Sequence, residues 1–153
     1  MIKKALLAVG LLGVLLIASG FVLYARNSAP VVPPLSTADV AGTGKPYVVK
    51  LHAKWCPICM VTKGVWTDIE KAYGNRVNLV VLDFTNDANT EASRAEAKRL
   101  GLTKMFDEYG GATGMIVVVD GRTRDVVSAI KGSRDFSGYR AAIDAALAAP
   151  ASR

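Results

Sequence analysis

Cys56 and Cys59 are the two thiols of this 153-residue chain, with Pro57 and Ile58 between them. The run Trp55-Cys56-Pro57-Ile58-Cys59 follows directly on Tyr47–Ala53 (YVVKLHA), which is β-branched and aromatic enough for a strand. It leads into a segment with Val61, Val65, Trp66, Ile69, Ala72 and Tyr73 at helical spacing, ending at Gly74. A cysteine at such a junction meets the unpaired N–H groups and positive end of a helix. A thiolate is the anion those groups favour, so the pKa of Cys56 is expected below the free-thiol value of about 8.5. Cys59, one turn on, is close enough to attack a mixed disulfide formed at Cys56. The spacing thus supplies a nucleophile and a resolving thiol. Competing readings use the same sulfurs. Half of a zinc site would need a second Cys/His pair, and the chain has two Cys and one His. A purely structural disulfide closing so short a loop gains little entropy. Soft ligation of Cu(I) is a third use of two thiols. No metal site is assigned.

The elements that must hold this pair read in order. Val77–Phe84 (VNLVVLDF) is a near-continuous apolar run, as in a strand covered on both faces. Thr90–Leu100 reads as a helix stopped by Gly101, and Thr103–Tyr109 as a shorter one. Met115–Val119 (MIVVV) is a second strongly apolar strand, Asp120-Gly121 signals a tight hairpin, and Val126–Ile130 returns. Asp135 can cap a last helix over Phe136–Leu147, with Tyr139, Ile143 and Leu147 inward. Strands linked through helices run parallel and the hairpin runs antiparallel. The expected class is α/β, a mixed central sheet flanked by helices.

Ahead of this domain, Ala5–Tyr24 is a 20-residue run without charge, preceded by Lys3 and Lys4 and followed by Arg26. A helix of that length rises about 30 Å, the thickness of a bilayer's hydrocarbon core. The charge asymmetry predicts a single pass with the N-terminus in the cytoplasm and the domain outside the cytoplasmic membrane, on the periplasmic side or its equivalent. A cleaved signal peptide is the rival, with Ala18-Ser19-Gly20 as the cleavage signal. Residues 26–44, with Pro30, Pro33 and Pro34, read as a tether. The expected organisation is therefore an anchor or signal over 1–25, a tether over 26–44 and one domain over 45–150. Hydrophobic residues make up 51% and charged residues 21%, which excludes a disordered chain. The net charge of +6 falls to +3 between Lys45 and Ala149, where 15 basic residues face 12 acidic ones. So mild a basicity does not point to a nucleic-acid partner. No nicotinamide or flavin motif is present, and no cofactor is expected.

The strand, the Trp55-Cys56-Pro57-Ile58-Cys59 run, the later apolar strand with its Asp120-Gly121 turn and Gly132 before the last helix together resemble the thioredoxin family. The resemblance spans about Tyr47 to Ala149 and implies a thioredoxin-like fold with Cys56 as nucleophile, Cys59 as resolving thiol and Trp55 shaping the substrate surface. Pro57 and Ile58 are one determinant of the redox potential. Three positions depart from the family pattern. Thr113 stands where a cis-proline faces the cysteines, so the Ala112–Thr113 bond is expected to be either trans or a strained cis one. Lys50 stands where an acid is often buried to relay protons to the resolving thiol. It either packs its stem with the amine in water or places an ammonium near Cys59 or Cys56. Gly64 replaces a helix-kinking proline and can permit a bend. Residues 86–111 form a longer stretch than in the simplest members, an insertion that could serve partners. His52 shares the Lys50 face and reads as packed, with tuning of Cys56 as the alternative. Arg122, Arg124 and Lys131 read as a solvated face.

The expected activity is that of a membrane-anchored thiol–disulfide oxidoreductase, reducing disulfides of exported proteins and re-reduced by a membrane electron donor. Running the same chemistry backward, as a disulfide donor or isomerase, is the alternative, and Cu(I) handling a more distant one.

Overall fold

Along Tyr47–His52 (β1) side chains alternate between two apolar layers, which is why that strand lies at the centre of the sheet. The computed structural model describes residues 44–149. The anchor, the signal-peptide rival and the tether lie outside those residues, and among the described residues no helix is long and apolar enough to cross a membrane. After β1 come Pro57–Val61 (α1), Lys63–Tyr73 (α2), Asn78–Asp83 (β2), Asp87–Arg99 (α3), Thr103–Tyr109 (α4), Met115–Val119 (β3), Val126–Lys131 (β4) and Phe136–Ala148 (α5). The sheet order is β2-β1-β3-β4. β1 pairs parallel with β2 and antiparallel with β3, and β3 pairs antiparallel with β4. The fold is thus the mixed α/β class the sequence implies.

Each face of the sheet has its own core. Val49, Leu51, Leu82, Val117 and Val119 meet Ala97, Leu100, Leu102, Met105 and Phe106 from α3 and α4. Val48, Ile116 and Val118 meet Val65, Trp66, Ile69 and Tyr73 from α2 and Tyr139, Ile143 and Ala146 from α5. Residues 86–111 therefore close one face of the core rather than standing apart as a surface insertion.

Several local expectations are corrected. β2 is an edge strand, so Val81 is exposed and the run is not covered on both faces. The Cys-bearing helix is not continuous. It breaks at Thr62, whose buried hydroxyl donates back to the carbonyls of Ile58 and Cys59, a bond that bends helices. Gly64 lies one residue past that break. α3 begins at Asp87 because the Asn86 side chain accepts from the Asn89 N–H. Ala72 is exposed, and Ala146 is buried more deeply than Leu147.

The β3–β4 connection is also not a tight two-residue hairpin. It runs from Asp120 to Asp125, and the buried Asp120 carboxylate organises it by accepting the N–H groups of Arg122 and Thr123. Arg124 takes a left-handed backbone conformation, stacks over the Tyr47 ring at 4.6 Å and donates to the Gly121 carbonyl, so it packs onto the domain instead of forming a solvated face. These two backbone bonds, from Thr123 and then Arg122, outweigh burial and hold the Asp120 carboxyl below its ordinary range. A depressed folded-state pKa contributes stability that is complete above the ordinary carboxylate pKa and is lost as pH falls through the depressed value. Asp120→Ala is expected to lower the unfolding free energy by about 1–2 kcal/mol at neutral pH. In urea titrations repeated at decreasing pH, its difference from the parent chain should shrink as the parent's carboxyl protonates.

Candidate active site

The C-terminal end of β1 delivers the chain into the dithiol. The Cys56 N–H donates to the Ala53 carbonyl at 3.2 Å, turning the chain sharply, and Pro57 then occupies the first position of α1, where a missing N–H costs nothing. Cys56 is the N-cap of α1, and its sulfur accepts the Cys59 N–H at 3.1 Å. Cys59 sits one turn on, its thiol 3.8 Å from the Leu51 carbonyl. Both cysteines are buried, with residue exposures of 4% for Cys56 and 3% for Cys59.

The thiols ionise unequally. Burial pushes the Cys56 thiol up, but hydrogen bonds from the Cys59 thiol, the Thr113 hydroxyl and the backbone N–H groups of Cys59 and Ile58 outweigh it, and the net shift is downward. Burial pushes Cys59 up, and its hydrogen bond to Cys56 pushes it further. The arrangement is a sulfur ready to ionise, faced by a neighbour that keeps its proton. α1 is only five residues long, so the individual N–H groups, rather than a long helix dipole, supply the effect.

Thr113 is half-buried on the loop before β3, and all peptide bonds of the described chain are trans, including Ala112–Thr113. That loop is internally bonded. The Ala112 N–H donates to the Tyr109 carbonyl at 2.9 Å and the Thr113 N–H to the Gly111 carbonyl at 2.8 Å. Gly114 follows at φ +82° with its N–H on the Leu51 carbonyl. A Cβ there would lie 2.4 Å from the Ile58 Cγ2, so glycine is required both for the backbone angle and for the close seat of Ile58. A Cβ at Gly132, whose φ is +68°, would lie 3.2 Å from the same methyl, and the Gly132 N–H donates to the Gly114 carbonyl.

The rim is apolar. Trp55 is 63% exposed, and Pro57, Ile58 and Met60 are exposed beside it. The Trp55 indole N–H donates to the Thr85 carbonyl at 3.0 Å, while the Lys54 N–H donates to the Thr85 hydroxyl. Asp83 holds Thr85 through backbone and side-chain bonds and accepts from Asn89. A groove of about 380 Å³ runs from Trp55 along Phe84, Phe106, Arg94 and Gly111.

Lys50 is half-buried on β1, its amine 5.4 Å from the centre of the Trp66 ring. Burial lowers its pKa, and the charge of Cys59 opposes that shift; Cys56 is not among the charges acting on it. His52 lies two residues on, its Nδ1 buried without a hydrogen-bond partner, and burial followed by the Lys50 charge lowers its pKa. The structure thus brings Cys56, Cys59, Trp55, Pro57, Ile58 and Thr113 to one place, and Lys50, over the Trp66 ring, interacts electrostatically with Cys59. Thr62, Thr85 and Gly114 were not singled out from sequence. The Asp83–Thr85–Asn86 cluster at a strand end is a turn signal that could have marked the Trp55 anchor.

Residues 36–108 match the family model described as Thioredoxin. No curated protein matches the chain. Among solved structures, the chain is similar to a thiol:disulfide interchange protein of the thioredoxin family from Chlorobium tepidum TLS, at 24% identity and TM-score 0.44 over 68% of this chain and 81% of that one. It is similar to the dsbF of MTB in its mixed oxidised and reduced forms, at 18% identity and TM-score 0.46 over 67% and 81%. It is also similar to the exposed lipoprotein thioredoxin Etrx1 of Streptococcus pneumoniae strain TIGR4, at 15% identity and TM-score 0.47 over 67% and 85%. The family match over residues 36–108, the mixed sheet and the pair of thiols at the β1–α1 junction agree on a thioredoxin-like domain with the dithiol of a thiol–disulfide oxidoreductase.

Proposed function

We propose that this chain is a membrane-tethered enzyme in which Cys56 attacks the disulfides of exported proteins and Cys59 resolves the product. The observation that carries this reading is the Cys56 sulfur at the N-cap of α1, accepting the Cys59 N–H at 3.1 Å with Cys59 one turn on; against the burial that raises both, hydrogen bonds lower the Cys56 thiol while Cys59 stays raised. The Cys56 thiolate attacks one sulfur of a substrate disulfide, and the other substrate sulfur leaves with the bonding electron pair. Cys59 then loses its proton, attacks the Cys56 sulfur and releases the second substrate thiolate. The substrate is reduced by two electrons and the dithiol is oxidised to an intramolecular disulfide. A donor in or at the membrane must restore the dithiol. The apolar rim of Trp55, Pro57, Ile58 and Met60 is the surface on which a client's disulfide would be presented. The uncharged run Ala5–Tyr24 supports the tether and the placement outside the cytoplasmic membrane.

The reverse direction, disulfide donation, has its own support. Every group that stabilises the Cys56 thiolate favours the dithiol over the disulfide, and Thr113 is one such group. Equilibration against glutathione mixtures decides: a potential near about −270 mV marks a reductase and one near about −120 mV a donor.

Cys56→Ser is expected to abolish reduction of insulin disulfides, whereas Cys59→Ala should accumulate a mixed disulfide visible by mass. A Cys56→Ser variant that kept turnover would end the assignment. Thr113→Val removes one donor to the thiolate. It should slow iodoacetamide alkylation of Cys56 at neutral pH by about threefold to tenfold, with the midpoint of the rate–pH curve moving up, one pKa unit being about tenfold. An unchanged midpoint would remove Thr113 from the site.

A further inference from the structure

Resolution requires a negative charge on Cys59, the sulfur that burial makes hardest to ionise. Among the described residues the one buried carboxylate is Asp120, at the other end of β1 and occupied with the β3–β4 connection. A cation on β1, Lys50, interacts electrostatically with Cys59. It adjoins Leu51, whose carbonyl lies 3.8 Å from the Cys59 sulfur, and its amine is held over the Trp66 ring inside the layer that α2 covers. The charged and titratable groups acting on Lys50 are Cys59 from α1 and Glu70 and Lys63 from α2, and Lys50 in turn acts on His52 of its own strand.

We propose that the Lys50 ammonium is the counter-charge of the Cys59 thiolate in the resolving step, a positioning residue that acts through the Cys59 sulfur. The inference rests on the exchange chemistry proposed above. Cys59 gives its proton to water, and the thiolate forms beside a fixed positive charge instead of in bare apolar surroundings. It attacks the Cys56 sulfur, the Cys56–substrate bond breaks, and the departing substrate sulfur takes the electron pair and then a proton from water. Trp66 has a second use here: its ring face holds the ammonium within the protein where a flexible stem would carry it to solvent.

The test uses the full chain with Cys56 loaded with thionitrobenzoate from Ellman's reagent. Closure by Cys59 releases the coloured thiolate, and its rate is followed against pH. Lys50→Met is expected to slow release about tenfold at neutral pH and to move the half-maximal rate to higher pH, since an opposite charge nearby is worth about one pKa unit or more. Lys50→Arg should stay within about threefold of the parent. Alkylation of Cys56 should change by less than about twofold in either variant. Release from Lys50→Met at the parental rate and pH midpoint overturns the proposal, as does a Lys50→Arg variant slowed as much as Lys50→Met, which would assign packing alone. If Lys50→Met does not fold, Lys50→Gln carries the same measurement. A parent chain that never releases the second thiolate overturns the exchange reading itself, an outcome distinct from a parent that closes and a variant that closes equally fast.

Discussion

One sulfur gathers the donors of this site. The N–H of Cys59, the N–H of Ile58, the Cys59 thiol and the Thr113 hydroxyl all converge on Cys56 from two elements: the first turn of α1 and the loop before β3. The burial that brings these donors close opposes ionisation, and the hydrogen bonds prevail. The rest of the fold can be read as the means of holding those two sources in register. β1 fixes the start of α1 through the Ala53 carbonyl, and β3 pairs with β1 so that Met115 lies opposite Leu51. Thr113 is then two residues from a paired strand position, and its freedom is small.

Contacts that involve no sulfur complete the geometry. Gly114 and Gly132 come within a methyl's reach of Ile58, so the middle of the Cys-x-x-Cys loop rests on backbone. The Thr62 hydroxyl breaks the helix directly after α1, and α2 then leaves at its own angle to cover Val48 and Ile116. Short α1 and longer α2 thus have different tasks: one presents donors to the sulfurs, the other builds core.

Much of this was legible in the sequence, because it is written in periodicity and spacing. The strands β1 and β3, the helix Thr103–Tyr109, the Asp135 cap and the position of the dithiol follow from alternation, capping residues and the Cys-x-x-Cys interval. The misreadings share a cause: they depended on a tertiary neighbour. Val77–Phe84 looks doubly covered by composition, yet strand order puts β2 at an edge. Asp120-Gly121 is a hairpin signal locally, yet the Asp120 carboxylate finds two amides and widens the turn. Gly64 is the permissive residue, but Thr62 supplies the hydroxyl that competes with the helix. Lys50 offered two readings that strand position alone does not separate; the Trp66 ring, sixteen residues away, sits against the amine, and the Cys59 charge acts on it.

The internal bonding of the loop before β3 has a bearing on what this site can recognise. The amides of Ala112 and Thr113 are already spoken for within the loop, so an arriving polypeptide cannot extend a ladder onto either of them. What greets it instead is a slick of indole, pyrrolidine, isoleucine and thioether atoms. Adhesion of that kind rewards buried area and is indifferent to reading frame.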